Sequence, residues 1–148
     1  MRIALAADHA GYELKDSLAV WLSDAGHEII DLGTNGPGSV DYPELGARLA
    51  AEIAAGRAER GVAICGSGIG ISIAVNREPK CRCARVDDPL SARLAREHND
   101  ANVLAFGARL IGHDMARACV SAFLGTDFAG GRHQRRVDQL SQLLQESD

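Results

Sequence analysis

Cys65 closes a short apolar run, Val62-Ala63-Ile64-Cys65, and Gly66-Ser67-Gly68-Ile69-Gly70 follows at once. A glycine-spaced turn that passes straight into a second apolar run reads as a strand-to-helix junction. Such a junction leaves backbone N–H groups unpaired and aimed at one place, a cradle for an anion or an oxyanion. A thiol beside that cradle is a candidate base. The turn is not the G-x-G-x-x-G dinucleotide fingerprint, and no Gly-Lys-Ser/Thr follows to make it a P-loop. A turn that only packs a helix on a sheet needs the glycines. It does not need the Cys65 thiol and the Ser67 hydroxyl beside them.

Three more groups carry chemistry. Asp8-His9 and His98-Asn99-Asp100 are each, taken alone, compatible with a capped turn or a helix end, where the dipole favours histidine. Both fall at plausible active-site positions. In Arg132-His133-x-Arg135-Arg136, residues 132, 133 and 136 share one helix face. On a chain of net charge −4 this local basic cluster suits a phosphate clamp of guanidinium forks. Cys81-x-Cys83 lacks the second ligand pair of a metal site and reads as structural. His27 and His113 read as surface residues. A base, an oxyanion turn, histidines to move protons and a cationic clamp add up to proton transfer on a small phosphorylated substrate. No metal-ligand set and no nucleotide fingerprint accompanies them.

The elements that must position these groups alternate along the chain. Ile3 to Ala7 reads as a buried strand, Asp8 to Gly11 as a turn, and Tyr12 onward as a helix. Leu14, Leu18, Trp21, Leu22 and Ala25 fall at helical spacing there, and Gly26 ends it. A second strand spans Glu28 to Leu32, and a glycine-rich loop runs from Gly33 to Val40. Asp41-Tyr42-Pro43 starts a helix with Leu45, Leu49 and Ile53 inside, closed by Gly56. Strand three ends at Cys65, and helix three follows. A polar fourth strand is expected over 81–86. Asp88-Pro89 caps a helix to Glu97. A fifth strand runs from Asn102 to Phe106. Ile111, Met115, Cys119 and Phe123 line a helix to about Leu124. A last helix carries Val137, Leu140, Leu143 and Leu144 on one stripe. Strands and helices in this order predict parallel βαβ units. The expected fold is a Rossmann-like three-layer α/β/α sandwich with five parallel strands and its ligand beyond their carboxyl ends.

At 148 residues, 46% hydrophobic and 24% charged, the chain reads as one globular domain, 1–148. Its net negative charge gives no case for nucleic acid, and no run approaches the ~20 residues of a membrane span. The first apolar run stops at Asp8-His9, too short for a secretory signal core. The four cysteines show no disulfide spacing, so the expected location is a reducing cytoplasm.

Several of these motifs, in this order, resemble one family from end to end. They are Asp8-His9-Ala10-Gly11 with Leu14-Lys15, Asp31-x-Gly33-Thr34, and Ser39-Val40-Asp41-Tyr42-Pro43. They continue with C-G-S-G-I-G-I-S-I-A at 65–74, Asn76, H-N-D-A-N-V-L-A-F-G at 98–107, Arg109, and G-G-R-H-Q-x-R-V at 130–137. The chain is similar to the ribose-5-phosphate isomerase B family, which also holds the galactose-6-phosphate isomerases of lactose pathways. The resemblance implies interconversion of ribose 5-phosphate and ribulose 5-phosphate through an enediolate, with neither metal nor cofactor. It implies that His98, with Asp8 or Ser67, helps open the furanose ring, and that Cys65 moves the proton between C2 and C1. The amides of Gly66, Gly68, Ile69 and Gly70 would hold the oxyanion. Arg132 and Arg136, with His9 and Arg109, would bind phosphate, and Tyr42 and Asn99 would line the sugar. It further implies a homodimer or dimer of dimers, with sites shared between subunits and the C-terminal helix extending toward the partner. Ser67 stands where threonine is common, and Arg85-Val86-Asp87-Asp88 is more charged than the family's usual strand. A hexose-6-phosphate isomerase and a non-catalytic sugar-phosphate-binding subunit are the alternative readings.

Overall fold

A computed structural model describes residues 1–145, with side chains described through 143. Its strands are β1 (Arg2–Ala7), β2 (Glu28–Asp31), β3 (Arg60–Cys65), β4 (Cys83–Arg85) and β5 (Val103–Gly107). Its helices are α1 (Tyr12–Asp24), α2 (Tyr42–Ala54), α3 (Ile69–Val75), α4 (Pro89–Asn99), α5 (His113–Leu124) and α6 (Arg132–Gln145). The strands form one parallel sheet in the order β2-β1-β3-β5-β4.

Side chains alternate across each strand, so the sheet has two apolar faces. Ile3, Leu5, Val62, Ile64, Leu104 and Phe106 point to the face covered by α1, α4 and α5. Ala4, Ala6, Ala63, Cys65, Val103 and Ala105 point to the face covered by α2 and α3. That second face is built of small residues, which lets α2 and α3 lie close. A Cβ on Gly61 would sit 2.8 Å from Leu49, and one on Gly46 would sit 2.7 Å from Ala74. Three layers and five parallel strands match the fold expected from the sequence. The strand order departs from the plain Rossmann order, because β5 inserts between β3 and β4.

Local signals explain some element ends. Asp88 caps α4, its carboxylate accepting from the Ser91 amide at 2.7 Å. Gly26 takes a φ of +93° just past α1. Three expectations need correction. β4 is only Cys83–Arg85, because Cys81 and Arg82 turn away into hydrogen bonds with Glu78 and Asn102. Met115 faces outward, and Ala116, Cys119, Val120 and Phe123 form the inner stripe of α5. His27 is half-buried rather than a surface residue, with Nδ1 enclosed and unpaired among the described residues. His113 is exposed as expected. On α6, Val137 is buried and Leu140 and Leu143 are exposed, while the side chain of Leu144 lies outside the described residues. Among the described residues no helix is long and apolar enough to cross a membrane.

Candidate active site

The sheet order puts a crevice at the carboxyl ends of β1 and β3. The chain leaves β1 toward β2 on one side and leaves β3 toward β4 on the other. Asp8 follows β1, Cys65 ends β3, and Arg109 follows β5. A cavity of about 580 Å³ opens there, lined by Asp8, Tyr42, Cys65, Gly66, Ser67, Ile69, Gly70 and Arg109 among others. A second, of about 560 Å³, shares Asp8 and Tyr42 with it and adds His9, Ser39, Val40 and Asp41.

The glycine turn is shaped by close approach. Gly68 sits at φ +76°, and a Cβ on it would lie 2.6 Å from the Phe106 backbone. That turn lets the Gly68 amide donate to Cys65 Sγ at 3.2 Å. The Ile69 amide donates to Ser67 Oγ at 3.2 Å. The amides of Gly66 and Ser67 have no such partner among the described residues. The backbone of the β5 loop is pinned to the same turn, since Ala108 and Arg109 donate to the carbonyls of Cys65 and Gly66. The Arg109 guanidinium lies over Gly66, 3.1 Å from where a Cβ would be. Tyr42 lies over Gly70, whose Cβ would fall 2.5 Å from the ring.

Asp8 is buried, and its carboxylate accepts from the Ala10 amide at 2.9 Å. His9 Nδ1 accepts from the Val40 amide at 3.2 Å, which fixes the ring at the wall of the second cavity. The loop that carries Val40 is anchored by Lys15, a fully buried ammonium bonded to Asp31, Asp16 and Asn35.

The remaining expected residues lie elsewhere. A crossover helix returns the chain from the carboxyl to the amino ends of a parallel sheet, so the end of α4 sits at the amino edge. There Asn102, three residues past Asn99, accepts from the Gly61 amide at the start of β3. The chain beyond α5 also returns to this edge, and the Ala129 amide donates to Glu97. His98 therefore stacks on His133 of α6, with ring centroids 4.5 Å apart. Burial lowers the His133 imidazole below its usual value, and the charges of His98, Arg132 and Arg136 add to the effect. Asn99 lines a separate cavity of about 460 Å³, with Cys81, Cys83 and Leu140. Within one chain, His98, Asn99, Arg132 and Arg136 stand apart from Cys65. A strand of five residues, roughly 15 Å, separates the two edges.

Burial raises the thiols of the other three cysteines. Burial pushes Cys81 up to about 12, with Glu78 adding, and pushes Cys119 up to about 11. Burial raises Cys83 as well. Two supporting residues, Arg85 and Lys15, have roles that no local sequence pattern announces. Arg85 donates to the Ser67 carbonyl, and its only signal was an unexpected charge at the end of a short strand. Lys15 had none beyond its place in a motif, because nothing local announces a buried lysine.

Comparison with known proteins adds to this geometry. Residues 3–140 match the family model described as ribose/galactose isomerase. Ribose-5-phosphate isomerase B of Escherichia coli is 42% identical over 97% of this chain and 97% of its own length. The protein of the same name from Mycobacterium tuberculosis is 41% identical over 96% of this chain and 89% of its own. The solved structure of the Clostridium thermocellum ribose-5-phosphate isomerase B covers all of both chains at 44% identity, with a TM-score of 0.98. That of a ribose 5-phosphate isomerase from Thermotoga maritima covers 95% of this chain and 97% of its own at 43% identity, with a TM-score of 0.94.

Proposed function

The chain belongs to the ribose/galactose isomerase family, and we propose that it interconverts ribose 5-phosphate and ribulose 5-phosphate. One observation carries the mechanism. Cys65 Sγ, a candidate proton acceptor, is held by the Gly68 amide at a cleft also lined by Asp8, Tyr42, Ser67 and Arg109.

Proton transfer accounts for the whole reaction. His98, with Asp8 or Ser67, takes the anomeric hydroxyl proton and returns one to the ring oxygen, which opens the furanose. Cys65 then takes the C2 proton, and the electron pair moves onto the C1 oxygen. The amides of Gly66 to Gly70 stabilise that oxyanion, and removing one such donor typically costs about 3–4 kcal/mol of barrier. The proton returns at C1, and the O2 proton passes to O1, so an aldose becomes a ketose with no net oxidation. A positioned base of this kind contributes roughly 10²–10⁴-fold.

The phosphate falls to Arg132 and Arg136, with His9 and Arg109. Those groups stand at both edges of the sheet, so a complete site takes two copies of the chain. Cys65 of one copy meets His98, Asn99, Arg132 and Arg136 of the other. The apolar rim around the Cys65 cleft fits this reading: Ile69 is 52% exposed, Ile73 50% and Leu110 61%. An apolar rim of this kind suits an interface. The proposed form is a homodimer or dimer of dimers acting in the cytoplasm, a reducing compartment that suits four cysteines without disulfide spacing.

Purified protein assayed on ribose 5-phosphate, allose 6-phosphate and galactose 6-phosphate tests the assignment. Turnover of the pentose at least tenfold above either hexose supports it. Preference for a hexose, or no turnover of any, overturns it.

A further inference from the structure

The Ser67 carbonyl and the Gly68 N–H belong to one peptide group, and in a trans peptide they point in opposite directions. The N–H end donates to Cys65 Sγ at 3.2 Å. The carbonyl end accepts from Arg85 Nε at 2.8 Å. Arg85 ends β4, the edge strand, and β5 lies between it and β3. Its side chain therefore crosses the end of β5 to reach the turn. Gly107 lets the turn lie this close to the end of β5, because a Cβ there would sit 2.5 Å from the Ser67 oxygen. Asp87 steadies the guanidinium from the other side, with Oδ2 2.7 Å from Nη1.

We propose that Arg85 is a positioning residue for Cys65, acting through the Ser67–Gly68 peptide. Two physical effects combine. Glycine accepts both signs of φ, so side-chain sterics at Gly68 do not oppose a peptide flip. A flip would exchange the two ends and turn a carbonyl toward the sulfur. The guanidinium clamps the oxygen and prevents this. A cationic donor on the carbonyl also polarises the amide and makes its N–H a stronger donor to sulfur. Arg85 reaches neither the sulfur nor, by this account, the substrate. The charged segment Arg85-Val86-Asp87 at the end of a short strand thus has a use beyond packing.

The inference rests on Cys65 as the base, and its test has a readout separate from turnover. The full-length protein is treated with iodoacetamide across a range of pH, and the Cys65 peptide is followed by mass spectrometry. Wild type, Arg85→Met, Arg85→Lys and Asp87→Asn are compared, and kcat and KM are measured alongside. In Arg85→Met the Cys65 alkylation rate at neutral pH falls about tenfold, and its pH profile moves upward, the size expected for losing one charge-assisted bond. The kcat falls in parallel, KM changes less than about twofold, and Arg85→Lys recovers part of the loss. An unchanged alkylation profile in Arg85→Met, or a loss confined to KM, overturns the proposal. If Arg85→Met fails to fold, Asp87→Asn decides: a few-fold fall in alkylation supports the clamp, and no change refutes it. Wild type without isomerase activity, but with Arg85-dependent alkylation, defeats the functional assignment and leaves the clamp standing.

Discussion

Cys65 and His98 stand at opposite edges of the same sheet. Cys65 is the last residue of β3, at the carboxyl edge, and His98 lies in the last turn of α4, at the amino edge. Each has the neighbours of half a site. Cys65 has Ser67, Tyr42 and Arg109 around one cleft, and His98 has His133 stacked on it beside Arg132 and Arg136.

Separated halves predict complementation between inactive chains. Cys65→Ala and His98→Ala each abolish turnover when prepared alone. Co-refolded in equal amounts, they regain about a quarter of wild-type activity, because half the dimers are mixed and each mixed dimer holds one intact site. No recovery would place both residues in one chain's site.

At about pH 7.5 Cys81 and Cys119, pushed up to about 12 and 11, and Cys83, also raised, remain thiols. Iodoacetamide is expected to modify Cys65, which lines the cleft, before these raised thiols, and ribose 5-phosphate slows that reaction. Peptide mapping checks both points, and faster labelling of Cys81 or Cys119 would contradict them.

Gly107 tests the fit of the turn. Its added Cβ would meet Ser67 backbone at 2.5 Å, and backbone cannot rotate away as a side chain can. Gly107→Ala is expected to cost about 1–3 kcal/mol of stability and to remove most activity. Gly36→Ala, which has open space around it, is the control and leaves both nearly unchanged. Urea unfolding and steady-state kinetics measure the pair.

His133 sets a pH dependence. Its imidazole is lowered by burial first, then by His98, Arg132 and Arg136. The native state thus holds fewer protons than the unfolded chain between the lowered value and the usual ~6.5, so stability falls as pH drops through that window. His133→Gln flattens this part of the melting profile. Sulfate, which keeps its charge there and neutralises the cluster, flattens it in wild type. A His133→Gln profile identical to wild type would contradict the assignment.

The fold was legible because its signals are local. Asp88-Pro89 caps a helix, Gly26 closes one, and short apolar runs alternate with helical stripes, so the layers follow from the spacing. The strand order was not legible. It depends on β5 pairing with both β3 and β4, and the sequence of β5 does not state its neighbours. The site was half legible. Cys65, Asp8 and Arg109 sit where strands end, a position that chain order reveals. His98 and Arg132 are just as visible as motifs, but their edge of the sheet depends on the direction of the helix that carries them. Arg85 and Lys15 act across 18 and 16 residues of sequence, to Ser67 and to Asp31, and no local pattern encodes such a partner.

The central claim is that Cys65 carries the proton between C2 and C1. Its most direct test is ribose 5-phosphate isomerisation by folded Cys65→Ala, with sugar-phosphate binding measured by calorimetry on the same sample. The account predicts binding within about threefold of wild type and turnover reduced by at least about 10³-fold. Turnover near wild type in that variant would contradict it.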